Sequence, residues 1–368
     1  MHGHDPLAPG GACAAQPPLL LATLATLPPN TQLHALILAD LLCAVLLLLA
    51  APPQQPLAGL VAATIHLLSP STIFACAAGS SAMLHGLLVL VATHSCARGH
   101  ALPAAATLAT AAMLAPDAIW MLIPLAALST VTSSTTHTAS ITAARTATAF
   151  CLFTCVWLLL LAPRFGGVTH LLRRTIGAWL DGEPLLFSTP NFGLWWYLMS
   201  TAYLPLRPTF ALAFHTLPRL CVPSLALSLR QPSSSSSSSS SPSLLSAALS
   251  HAVLTATKRA PTTPEIILSL AFVGTQLDER ILAHASRLLP IACAALINGG
   301  LAARYLLTRW VDERELNANF FYAATVLFGG GQLLFIYEIA ASALAAQAME
   351  DKGATGVQRA WRRKGKVD

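Results

Sequence analysis

The sequence predicts an all-α, polytopic transmembrane helix bundle. Two observations carry that reading. Only 10% of the 368 residues are Asp, Glu, Lys or Arg, while 55% are hydrophobic and mean hydropathy is +0.62. A soluble domain keeps roughly a quarter of its residues charged. Between Arg98 and Arg145 the sole formally charged side chain is Asp117. A chain this apolar has lipid as its solvent, where backbone groups must be satisfied inside each helix. At roughly 20 residues per span plus short loops, its length suits about nine to eleven membrane-embedded helices.

The elements follow in order. Pro18 to Leu27 is bounded by prolines and too short to span, so it reads as re-entrant or interfacial. Apolar runs then predict helices over 34–51, 57–77, 80–97, 102–131, 146–163, 191–215, 216–229, 244–257, 262–276, 284–308 and 318–346. The run 102–131 is one long or two short passes broken at Pro116. The short runs near 216–257 read as half-helices or pairs across a Pro break. Small residues inside the runs favour close helix approach, because packing drives association in lipid. The whole of 1–350 reads as one polytopic membrane domain.

Three segments are not spans. Within 168–182, Leu171, Leu172, Ile176, Trp179 and Leu180 recur at helical spacing with Arg173 and Arg174 opposite, which predicts an interfacial amphipathic helix. Ser233 to Ser241, inside 231–243, is an unbroken serine run between Pro232 and Pro242 and reads as a flexible loop insertion. The segment 351–368 carries Lys352, Arg359, Arg362, Arg363, Lys364 and Lys366, a basic tail that belongs on the cytosolic side.

Charge and cysteine usage bound the function. The formal charge of +6 resides between apolar runs, as loops facing anionic lipid require, so no nucleic-acid partner is read from it. Most of the eight cysteines lie in apolar runs, and Cys151 and Cys155 have no neighbouring His or Cys pair, so no metal or other cofactor is predicted. The N-terminus lacks a basic region before an apolar core and is not read as a signal peptide, and His2 and His4 read as a frayed end. A nucleophile needs a positioned base and an orienting acid. No such Ser–His or Cys–His arrangement stands out among the 12 histidines, and no catalytic residue is assigned.

Two span starts hold the candidate binding residues. Thr189-Pro190-Asn191 precedes an apolar run: Pro190 suits a first helical turn, and Thr189 or Asn191 can cap it. Free N–H groups there suit a phosphate, and Trp195, Trp196 and Tyr197 suit acyl chains or a sugar face. Asn317 and Asn319 open the last span before Phe320, Phe321 and Tyr322. Further along stand Gln332, after Gly329-Gly330-Gly331, and Glu338. The glycines read as close helix packing, and Glu338 as bonded to a neighbouring helix or wetted near the surface. The competing reading of both starts is a capped, belted helix with no ligand. Asp40 and Asp117 read as structural acids.

Three stretches resemble one family. Leu-Leu-Phe-Ser-Thr-Pro-Asn-Phe-Gly-Leu-Trp-Trp-Tyr (185–197), Leu-Asn-Ala-Asn-Phe-Phe-Tyr-Ala (316–323) and the weaker Leu-Ser-Pro-Ser-Thr-Ile-Phe-Ala-Cys-Ala (68–77) are similar, in order, to motifs of the phosphatidylinositol glycan class U family. In the third, Ser69 replaces that family's Asn. The resemblance implies a non-catalytic, multi-pass subunit of GPI transamidase in the endoplasmic reticulum membrane. It implies a fold similar to that of the polytopic GPI mannosyltransferases. The implied partners are the other transamidase subunits, including the cysteine-protease catalytic subunit, together with GPI lipid and the proprotein C-terminal signal. The 168–182 helix is implied to be lumenal. Against the family pattern the chain lacks a first span and a first lumenal loop. The alternatives are a polytopic glycosyltransferase of GPI-anchor biosynthesis, which requires an essential lumenal acid, and a small-molecule transporter, which requires inverted repeats.

Overall fold

A computed structural model describes residues 28–77, 80, 82–131, 136–172, 191–229, 242–258 and 260–364. Among these the chain is helical with no strands. The helices are α1 (Pro29–Ala50), α2 (Pro56–Leu68), α3 (Pro70–Ala77), α4 (Ala82–Ala97), α5 (Ala101–Leu114), α6 (Leu122–Val131), α7 (Thr136–Leu161) and α8 (Val168–Leu172). There follow α9 (Trp196–Thr201), α10 (Arg207–Ala211), α11 (Cys221–Ser228), α12 (Pro242–Ala256), α13 (Thr263–Thr275), α14 (Glu279–Ala283), α15 (Leu288–Leu307) and α16 (Ala318–Lys364).

Among the described residues four helical stretches are long and apolar enough to cross a membrane: Asn30–Ala50, Ser140–Phe165, Leu288–Asp312 and Ala318–Glu350. The α2–α3 pair qualifies as a fifth, bent by 50°. The bend falls at Ser69, whose extended ψ of 122° is what a residue before proline adopts. Five further apolar helical stretches among the described residues are shorter, at 10–17 residues.

Proline decides most departures from the expected spans. The run 102–131 divides in two: Ala115 is extended before Pro116, and a 3₁₀ turn over Pro116–Met121 leads into α6. The expected span 191–215 is corrected. It is a string of short pieces, α9, a 3₁₀ turn at Leu204–Leu206, α10 and a wide turn at Leu212–Thr216. Pro205 and Pro208 each remove a helical donor and crowd the preceding turn, so no continuous helix survives. The expected span 216–229 likewise becomes a 3₁₀ turn at Leu217–Leu220 followed by α11. In the opposite direction, α7 begins well before residue 146, and α16 continues past residue 346 through the basic segment to Lys364. Of the 168–182 helix only α8 falls among the described residues, and the serine run lies outside them.

The bundle is organised around α12. Ser243 and every residue from Leu245 to Ala256 are buried, the pattern of a helix enclosed on all sides. It packs on α6, α11, α13 and α16, while α1, α4, α5 and α7 build the adjoining wall. Side-chain hydrogen bonds tie the wall together. Trp157 Nε1 donates to Thr110 Oγ1 at 3.0 Å between α7 and α5, and Gln276 Nε2 donates to the Ala50 carbonyl at 2.8 Å. Such bonds between membrane helices contribute on average about 0.6 kcal/mol each. On the outside, α1 exposes Leu38, Leu41, Val45 and Leu49, and α7 exposes Leu152, Val156, Leu159 and Leu160, an apolar surface suited to acyl chains.

Helix α15 lies close against α16, and glycine permits the approach. A Cβ at Gly299 would lie 2.6 Å from the Phe328 backbone nitrogen, and one at Gly331 would lie 2.9 Å from that of Leu296. Within the Gly329–Gly331 run, Gly331 and Gly329 therefore serve close packing, against α15 and Leu194 respectively, while a Cβ at Gly330 would meet nothing. Glu338, 4% exposed, accepts from the Ser286 backbone N–H at 3.2 Å, which ties α16 to the segment before α15.

Candidate functional site

The two strongest sequence motifs meet. Leu194 wedges against Gly329 of α16, where a Cβ would come within 2.9 Å of its side chain. This seats the next residues on the first turns of α16. Trp196 opens α9 and is 4% exposed, and Phe321 is fully buried against it with ring centroids 5.5 Å apart. Trp196 Nε1 points at Thr325 Oγ1, 3.4 Å away. Tyr197 and Tyr322 lie 4.8 Å apart, and Phe192 meets both Phe321 and Phe328 edge-on at 6.1 Å. Trp195 turns the other way and stacks on Phe214 at 4.3 Å. Edge-on and offset arrangements of this kind are favourable beyond the apolar area they bury.

Trp310 completes the block and was not foreseen. It stacks on Trp196 at 6.1 Å and on Phe321 at 5.9 Å from the wide turn Thr308–Asp312 that ends α15. Its sequence signal was a tryptophan beside Arg309 at a span end, the usual place of an interfacial anchor.

The caps differ from the expectation. Asn191 lies in the loop before α9, and its Oδ1 accepts from Gly193 N–H at 2.7 Å, so it folds the loop instead of capping a helix. The N-cap position of α9 is Trp195, which makes no side-chain cap, and α9 is only six residues long. The span start expected at Asn191 is therefore corrected to a tight loop before a short helix. At the other start Asn317, not Asn319, accepts from the Asn319 N–H at 2.9 Å. Asn319 and Phe320 stand exposed beside the buried aromatics, and Asn191 is half-buried. Gln332 is buried about three turns beyond Phe321 along α16, away from this block. Pro190 lies outside the described residues.

A second constellation escaped sequence reasoning apart from Asp117. Arg219, 1% exposed, pairs with Asp117 at 2.8 Å. Lys258 Nζ pairs with Glu265 Oε1 at 2.5 Å, and Glu265 also closes a capping box with Thr262 at the start of α13. His85 Nδ1 lies 3.9 Å from the same carboxylate. Asp117, Lys258 and Glu265 line a cavity of about 20 Å³ with His85, His251 and Thr255. That volume accommodates a water. The available signal was the rarity of intramembrane charge itself, since such groups pair or face a cavity. Elsewhere Asp40 Oδ1 sits 2.7 Å from Nε2 of buried His66, so each acid read as structural has a close basic side chain. Among the described residues no three His, Cys, Asp or Glu side chains converge as metal ligands.

A bundle with several apolar spans, internal ion pairs and an aromatic joint at the start of its last helix defines a multi-pass membrane protein. The family model for GPI transamidase subunit PIG-U matches residues 2–328, and the chain belongs to that family. No curated protein matches the chain.

Proposed function

We propose that this transamidase subunit is non-catalytic and resides in the endoplasmic reticulum membrane. It helps hold GPI lipid or the C-terminal attachment signal while a cysteine-protease subunit performs the transfer. Family membership supports the general role. The observation that carries the finer reading is the meeting of the two motifs in one block. Trp196 and Phe321 are buried in that block with Tyr322 packed against them, and on this reading the half-buried Asn191 and the exposed Asn319 and Phe320, their neighbours in sequence, supply a polar and aromatic rim. Amides suit phosphate or glycan oxygens, and the rings suit acyl chains or sugar faces. On this reading the rim faces the lumen.

The test is GPI-precursor retention and transamidation in the assembled complex, carried by Asn191→Ala, Asn319→Ala and the double change. Retention and transamidation should both fall in the double variant while the cysteine-protease subunit still co-purifies. Wild-type retention and transamidation at wild-type assembly would assign the motifs to loop folding and helix capping alone.

A further inference from the structure

Away from the aromatic block, a groove of about 760 Å³ opens between α5 and α7. One face of α7 lines it with Ile141, Ala144, Arg145, Thr148, Ala149 and Leu152, which recur at the three- and four-residue spacing of a single helix stripe. His100, Ala101, Leu102 and Pro103, at the start of α5, form the other wall. The groove is graded along its length. Arg145 lies about two turns from Leu152, near the start of the span Ser140–Phe165, and His100 on the opposite wall immediately precedes α5. The far end is apolar, and Leu152 is 63% exposed there.

Charge is unbalanced in this groove. Arg145 is exposed, and among the described residues no carboxylate lines the groove. Arg98, just before His100, adds a further exposed cation at the end of α4. Two cations among the described residues of the interior are matched by a carboxylate: Arg219 by Asp117 and Lys258 by Glu265. An arginine near a span end reaches for the headgroup layer, where anionic phosphates are its natural counter-charge. A groove with a cation at one end and apolar walls at the other has the shape of a lipid with a charged head and a hydrocarbon tail.

We propose that the α5–α7 groove binds a glycerophospholipid with a net-negative headgroup. Arg145 takes the phosphate, His100 borders the headgroup, and an acyl chain runs past Ile141, Ala144 and Leu152. This site is separate from the aromatic block and does not depend on the proposed role of Asn191 and Asn319.

The assembled complex, solubilised in mild detergent with equal phosphatidylserine and phosphatidylcholine, tests it by native mass spectrometry of retained lipid. Wild type should retain phosphatidylserine in preference. Arg145→Gln should reduce that retention about fivefold, the worth of one basic side chain at an anionic membrane surface, and leave phosphatidylcholine unchanged. Arg145→Lys should keep most of it. Ala144→Trp, on an exposed wall position, should block the groove and lose both lipids. Phosphatidylserine at wild-type level in Arg145→Gln or in Ala144→Trp overturns the proposal. So does loss of a protein subunit from Arg145→Gln with lipid retention unchanged, which would make the groove a docking face for an acidic helix. The Asn191→Ala/Asn319→Ala double variant should retain phosphatidylserine normally, which separates this site from the GPI reading.

Discussion

Trp196 donates through its indole N–H to the Thr325 hydroxyl, across 129 residues of sequence. That bond joins the loop after residue 190 to the first turns of the last helix. Thr325 passes the contact on, its own hydroxyl donating to the Tyr322 carbonyl at 2.8 Å. A buried indole N–H needs such a partner, and here the partner belongs to the second motif.

The aromatic joint is a packing element first, so truncating its centre should be costly. Phe321→Ala or Trp196→Ala should destabilise the protein by about 3–5 kcal/mol, the range for large aromatics in a core. Thr325→Val removes only the acceptor and should cost about 1–3 kcal/mol. Thermal unfolding of the detergent-solubilised subunit, read by tryptophan fluorescence, should rank them in that order. An equal effect for all three would mean that the ring packing is not what holds the joint.

Helix α16 approaches α15 through Gly299 and Gly331, while Gly330 faces open space. Gly299→Val and Gly331→Val should force the helices apart and lower abundance sharply, because backbone atoms stand where the new side chain must go. Gly330→Ala should be neutral or better. Abundance measured beside the native chain decides this, and a harmless Gly299→Val would remove the close approach from the account.

The Asp117–Arg219 pair should behave as a buried ion pair. Removing one partner leaves an uncompensated charge, and Arg219→Leu or Asp117→Leu alone should cost about 3–5 kcal/mol. The double Leu variant should recover much of that loss, since apolar replacement of both charges is often near neutral. A double variant as unstable as the worse single one would show that further partners of the two groups dominate. If the protein accumulates, Asp117→Ala should still support activity, which is the outcome expected of a structural acid and not of a glycosyltransferase base.

Deleting Ser233–Ser241 should leave abundance and assembly near normal. Closure entropy changes only slowly with the length of a connecting segment, by about 0.6 kcal/mol per doubling. Loss of subunit co-purification on deletion would mean that the run contacts a partner.

The topology is checked by glycosylation acceptors. One inserted beside Gly182 should be modified and one appended after Asp368 should not, because basic tails stay on the cytosolic side. Modification at Asp368 alone would invert the assignment and move the aromatic rim off the lumenal face.

The sequence by itself determined the solvent, the helical class and the positions of the special residues. Low charge and long apolar runs leave helices as the solution, and Asn, Trp and Phe clusters mark the ends of runs whatever their packing. It also pointed to packing by the Gly329–Gly331 run, which Gly329 and Gly331 serve, because bare helix faces in lipid have that use. Tertiary structure decided the rest. Hydropathy cannot distinguish an apolar run broken by Pro205 and Pro208 from a span, so 191–215 was read as one helix where short turns stand. Nor can it reveal that α12, a run of ordinary length, is enclosed on all sides. The pairing of Asp117 with Arg219, and the stacking of Trp310 on Trp196, join residues distant in the chain. Charge and ring contacts of that kind depend on side-chain geometry within a few ångströms, which no local pattern of residues encodes.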